Sequence, residues 1–111
     1  MSEEPISERA AGHVAAFNDG VRTGDWTAFA DRCTPDATMR FTGVPAGPFI
    51  GREAIAAGYA VQPPTDTLTI VRGVSSGDVD ELWFAWDSGG AGTMLLRWRG
   101  DLIAELTVTF S

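Results

Sequence analysis

Residues 24 to 59 read GDWTAFADRCTPDATMRFTGVPAGPFIGREAIAAGY, and this stretch decides the fold. Gly24 suits the left-handed cap of a preceding helix, and Asp25 the cap of a short second helix carrying Trp26, Phe29 and Ala30. Thr34-Pro35-Asp36 is expected to stop that helix, which leaves Cys33 at its end. Ala37 to Gly43 then alternates, with Ala37, Met39 and Phe41 on one face and Thr38, Arg40 and Thr42 on the other. That is the pattern of a half-buried strand. Val44 to Ile50, rich in proline and glycine, is a loop, and a third helix runs from about Arg52 to Val61, ending before Pro63-Pro64.

Before this stretch, Pro5 suits the first turn of a helix, and Ile6, Ala10, Val14, Phe17 and Val21 recur at helical spacing with His13 beside them. After Thr65 no helical period remains and the chain reads as strands. Pairing Asp87 with Thr93 makes a hairpin around Ser88–Gly92 and sets Glu81 opposite Arg99, a favourable cross-strand pair. It also places Leu82, Phe84 and Trp86 on one face with Met94, Leu96 and Trp98. In the last strand Leu102, Ala104, Leu106, Val108 and Phe110 alternate with Ile103, Glu105, Thr107 and Thr109. A two-residue turn at Gly100-Asp101 would bury Glu105, so face matching selects a three-residue loop, Arg99-Gly100-Asp101. Helices followed by a meandering sheet make an α+β domain with its helices on one face.

A chain of 111 residues supports one domain, 1–111, with one core. The net charge of -7 argues against nucleic acid and anionic membrane surfaces as partners. Cys33 is the one cysteine and has no internal disulfide partner. No apolar run approaches the ~20 residues of a membrane span. The start, Met-Ser-Glu-Glu-Pro, is acidic where a signal peptide is basic, so a cytoplasmic location is expected.

The order helix, strand, loop, helix, with Gly24-Asp25, Asp36-Ala37-Thr38 and Gly51-Arg52-Glu53 as landmarks, resembles the nuclear transport factor 2-like superfamily. That superfamily includes ketosteroid isomerases, SnoaL-like polyketide cyclases and limonene-epoxide hydrolases. The resemblance covers nearly the whole chain and is strongest from Phe17 to Tyr59. It implies a cystatin-like cone, in which three N-terminal helices pack inside a curved antiparallel sheet and leave a hydrophobic pocket at the open end. Aligned on the landmarks, the isomerase base falls on Phe41, its oxyanion tyrosine on Phe17 and its oxyanion carboxylic acid on Met94. Only Tyr59 matches a family tyrosine, so ketosteroid isomerase chemistry is not expected. The hydrolase pattern of two aspartates and an arginine has only Asp87 with Arg97 and Arg99, all three on the outward face in the register above.

The resemblance places a ligand among Phe17, Trp26, Met39, Phe41, Phe49, Tyr59, Trp86, Met94 and Phe110, which fall on inward faces or on the loop at the cone's mouth. Tyr59 and His13 are candidate polar helpers, each weighed against a plain core role, and Asp87 reaches the mouth only if a bulge turns it. One histidine and one cysteine without ligand spacing build no metal site, and no cofactor is expected. The loop Gly89-Gly90-Ala91-Gly92 opens no helix and so makes no phosphate cradle. On the outer sheet face Trp83, Ala85 and Leu95, with Ile103 beside them, read as a homodimer surface. Two functions follow. One is a domain that binds a compact hydrophobic molecule, with SnoaL-like isomerase, cyclase or dehydratase activity as an extension. The other is a non-catalytic interaction module whose pocket is filled by its own side chains.

Overall fold

The computed structural model describes residues 6–44 and 47–110. Pro5, expected in the first helical turn, lies outside them. Helix α1 (Glu8–Thr23) starts at Ser7, whose hydroxyl accepts from the Ala10 N–H at 3.1 Å, and closes at Gly24, which is left-handed at φ 79°. Its buried face is Ala10, His13, Phe17 and Gly20, one position round from the expected stripe, with Val14 and Val21 half-buried. Gly20 is buried because the Trp26 ring lies on it, and a Cβ there would come within 2.5 Å of the indole. The N-cap of the short α2 (Thr27–Asp31) is Trp26 and not the expected Asp25, which stands one residue earlier and accepts from the Thr27 N–H at 3.0 Å.

Strand β1 (Cys33–Thr42) starts earlier than its alternation suggests. Cys33 opens this strand and does not end the helix, because Thr34-Pro35-Asp36 are absorbed in an irregularity between Cys33 and Thr38, where β1 takes more residues than the strand beside it. A proline is tolerated there because no regular ladder bond is lost. The loop after β1 returns as the two-residue β2 (Phe49–Ile50), and α3 spans Arg52–Val61 as expected. The Gly-Arg-Glu landmark is a structural staple. Gly51 is left-handed at φ 97° and donates to the Ala37 carbonyl at 2.7 Å, while the Arg52 guanidinium donates to the Cys33 carbonyl.

Strands β3 (Leu68–Ser76), β4 (Val79–Trp86), β5 (Ala91–Arg99) and β6 (Leu102–Phe110) complete a curved, unclosed sheet. The order is β2-β1-β6-β5-β4-β3, antiparallel throughout except that β1 runs parallel to β6. The inward faces of β4 and β5 are those expected, but the register differs. Leu82 faces Met94 and Glu81 faces Leu95, so the Glu81–Arg99 pair does not form. Gly92 is a strand residue opposite both Phe84 and Phe110, and a Cβ on it would lie 2.7 Å from the Phe84 ring and 2.5 Å from the Thr109 carbonyl.

The connection between β5 and β6 is also corrected. Arg99 pairs with Leu102, leaving a two-residue turn at Gly100-Asp101. Ile103 therefore faces Trp98 and is buried, and a bulge at Ala104 restores the phase so that Glu105 pairs outward with Arg97. The bulge does what the longer loop was expected to do. Ile103 is thus a core residue and no part of an outer dimer surface. Trp83 is half-buried beneath the Arg72 guanidinium, 4.7 Å from its ring centre, and Leu95 is exposed.

The end of the sheet away from α3 is pinned by Asp80, which is fully buried on the inward face of β4. Its Oδ2 accepts from Ser7 Oγ and Trp98 Nε1, both at 2.8 Å, and its Oδ1 accepts from the Ser75 hydroxyl. Arg9 spans the same end, donating to the carbonyls of Gly100 and Gly77 and lying over the Trp98 ring. Among the described residues no helix is long and apolar enough to cross a membrane.

Candidate functional site

At the opposite end the helices and the sheet do not close on one another, and a cavity of about 460 Å³ opens to solvent. Its floor is buried: His13 and Phe17 from α1, Phe29 from α2, and Met94, Leu106 and Val108 from the sheet. Half-buried aromatics form its wall, Phe41, Tyr59, Trp86 and Phe110. Its rim is loop: Val44, Gln62 with Pro64-Thr65-Asp66, and Ser88-Gly89. Strand alternation aims Phe41, Trp86 and Phe110 inward, and Gly92 leaves room for the Phe84 ring, which meets Trp86 edge-on at 5.2 Å. Tyr59 is held by stacking on Trp26 at 4.7 Å and by edge contacts with Phe17 and Phe29.

Of the ligand residues expected from sequence, the cavity collects Phe17, Phe41, Tyr59, Trp86, Met94 and Phe110. Trp26 stands behind Tyr59 and Met39 is sealed beneath the β1–β2 pairing, so neither lines it. Phe49 lies across Gly58 and borders a side pocket of about 90 Å³, which shares Phe41, Tyr59 and Gln62 with the main cavity. Asp87 is on the outside. The Thr69 and Thr67 hydroxyls bind it there, Thr69 at 2.8 Å, and those bonds hold its carboxyl below the usual range. No bulge turns it inward. Phe29, which was not among the expected ligand residues, forms part of the floor. Of the rim, the loop that begins at Val44 was expected at the mouth, but the Gln62, Pro64–Asp66 and Ser88-Gly89 parts were missed, since loop residues carry no periodicity; Leu106 and Val108 were legible as inward positions of the last strand.

The polar side chains of the floor and wall, His13 and Tyr59, are neutral at physiological pH. Burial, helped by the nearby Arg32 guanidinium, lowers His13 to about 3, so its imidazole is uncharged and a weak base. Its Nδ1 is buried with no hydrogen-bond partner among the described residues. Burial, with a smaller contribution from Cys33, raises the Tyr59 hydroxyl well above its usual range. Cys33 itself is buried and pushed up to about 11, despite the opposing pull of Arg52 and Arg32. A thiol held so high is no nucleophile. Among the described residues no group of histidine, cysteine, aspartate and glutamate has the geometry to hold a metal ion.

The profile of the SnoaL-like domain matches residues 14–106, which includes most of this cavity's lining. The chain belongs to the SnoaL-like family. Solved structures agree on the fold. A protein from Catenulispora acidiphila with a ketosteroid isomerase-like fold, in complex with trimethylamine, superposes with a TM-score of 0.76 at 20% identity, covering 96% of this chain and 88% of that one. A SnoaL-like protein of Burkholderia thailandensis gives 0.74 at 14% identity, covering 97% of this chain and 99% of that one. A computationally designed 17-OHP binder gives 0.70 at 14% identity, covering 93% and 91%. No curated protein sequence matches this SnoaL-like chain.

Proposed function

We propose that this SnoaL-like domain binds a compact apolar molecule in the aromatic-walled cavity. The observation that carries the reading is the cavity itself, about 460 Å³ open at one end, with a wholly uncharged floor. At ~30 Å³ of liquid volume per water, it has room for about fifteen waters, which suits one ring system or a short chain. The Catenulispora protein, with trimethylamine bound, and the designed 17-OHP binder support small-molecule occupancy of this kind of scaffold.

Proton transfer has less support than binding. A base poised near neutrality is the usual requirement, and His13 at about 3 is far from it. With Phe41, Phe17 and Met94 lining the cavity, catalysis here would rest on exclusion of water and on positioning, with His13 and Tyr59 as neutral hydrogen-bonding groups. The interaction-module reading requires a solid interior beneath Val44, where the cavity lies instead.

The test is thermal melting against a panel of ring-containing apolar compounds, including steroids, terpenoids and aromatic polyketides. A ligand at one hundred times its dissociation constant adds about 2.7 kcal/mol. A rise in melting temperature that disappears in Phe41→Asp supports the reading, and no rise with any compound overturns it.

A further inference from the structure

We propose that the cavity's ligand carries a cationic head, an alkyl-substituted ammonium, held at the rim by the aromatic wall and Asp66. This rests on the cavity being a binding site. The charge inventory of the lining is one-sided. Asp66 is its one carboxylate, none of the described lining residues is an arginine, and the chain has no lysine. His13, sunk in the floor with an unpartnered Nδ1, offers hydrogen bonding without charge. Asp66 is half-buried and oriented by its neighbour loop, since the Ser88 N–H and hydroxyl both donate to its Oδ2. Both bonds fall on one oxygen, so Oδ1 keeps its acceptor capacity for a ligand N–H or an ammonium charge.

The wall suits the same head. Trp86, Phe110 and Phe41 form a row of near-parallel rings, 6.2 Å apart at interplanar angles of 9° and 23°. Rings in van der Waals contact face to face would be about 3.5–4.0 Å apart, so at 6.2 Å each leaves much of its face uncovered by the next. Electron-rich ring faces attract a cation, and a substituted ammonium, weakly hydrated, is desolvated more easily than a metal ion or a bare ammonium. The chain's net charge of -7 draws cations and repels carboxylate or phosphate ligands. The apolar body would then occupy the floor, with the head between the ring row and Asp66.

The experiment compares hexyltrimethylammonium with the neutral isostere in which carbon replaces nitrogen, by calorimetric titration at low salt, beside the panel of neutral ring compounds. The cation is expected to bind about tenfold more tightly than its isostere, the combined size of a cation–π and a partly exposed ion-pair contribution. Asp66→Asn keeps an oxygen for Ser88 and should remove part of that preference, and Trp86→Leu the rest, with circular dichroism verifying that both variants fold. Equal or tighter binding of the isostere overturns the proposal. If neither compound binds but neutral ring compounds do, the cationic head is wrong and the cavity reading stands. If nothing binds, both fail.

Discussion

Replacing Asp80 with leucine removes the acceptor on which three donors converge while keeping the same branching of side-chain heavy atoms. Ser7 Oγ and Trp98 Nε1 lose Oδ2, and the Ser75 hydroxyl loses Oδ1. Hydrogen bonds to a charged group contribute about 1.5–3 kcal/mol each, but the losses are unequal. A serine hydroxyl can rotate to another acceptor, whereas the indole N–H only donates and sits in a residue that is 3% exposed. Leucine also recovers some apolar burial. The balance is a loss of about 3–5 kcal/mol, the range seen when one side of a buried charged contact is deleted. Asp80→Asn should behave differently. Its oxygen can take the Oδ2 position for Ser7 and Trp98, and its amide can donate to Ser75, whose hydroxyl then accepts, so the cost falls to about 1–2 kcal/mol. Urea unfolding followed by circular dichroism and tryptophan fluorescence measures both. With a slope of about 1–3 kcal/mol per molar, the leucine variant's midpoint should drop by about 2 M and the asparagine variant's by less than half of that. An unchanged midpoint in Asp80→Leu, or an asparagine variant as weak as the leucine one, would refute the reasoning.

Three further outcomes follow from the same contacts. The folded-state pKa of His13, about 3, lies below the ordinary 6.5, so the unfolded chain takes up the proton first and stability falls as pH drops through that window. The slope approaches ~1.4 kcal/mol per pH unit, and pH-dependent melting of His13→Phe should lack that component while the protein's carboxylates still titrate. Gly92→Ala places a Cβ 2.5 Å from a backbone carbonyl that cannot step aside, so thermal melting should show a loss of about 1–3 kcal/mol. Arg52→Met strips the guanidinium from the Cys33 carbonyl and should cost about 1–2 kcal/mol in urea unfolding.

The sequence made the faces of the fold legible but not its registers, and the reason is the period of a strand. Slipping β4 against β5 by an even number of residues leaves Leu82, Phe84, Met94 and Leu96 facing inward, so alternation cannot distinguish the expected pairing from the observed one. Likewise, alternation demanded that Leu106 and Val108 face inward, yet could not say whether a longer loop or a bulge at Ala104 supplied the phase. The cavity divides the same way. Its floor and walls come from periodic elements and were readable at Phe41, Trp86, Met94 and Phe110. Its rim at Asp66 and Ser88 depends on two loops meeting across more than twenty residues, a contact that leaves no local pattern. Asp80 went unread for a related reason: a lone carboxylate at an inward position looks like a strand end until Ser7, far away in sequence, is brought to it.

The parallel pairing of β1 with β6 joins the middle of the first half of the chain to its last strand. During synthesis, at roughly 5–20 residues per second, β1 emerges long before the strand that flanks it. Until then its ladder has only the two residues of β2 on one side and an open edge on the other. Through that interval Met39 and Phe41 have no β6 side chains to pack against, and the apolar helices have no finished sheet behind them. Nascent chains of this protein therefore present their stickiest surface for several seconds, and a holdase that covers β1 on the ribosome should raise the yield of folded protein more than one that acts after release.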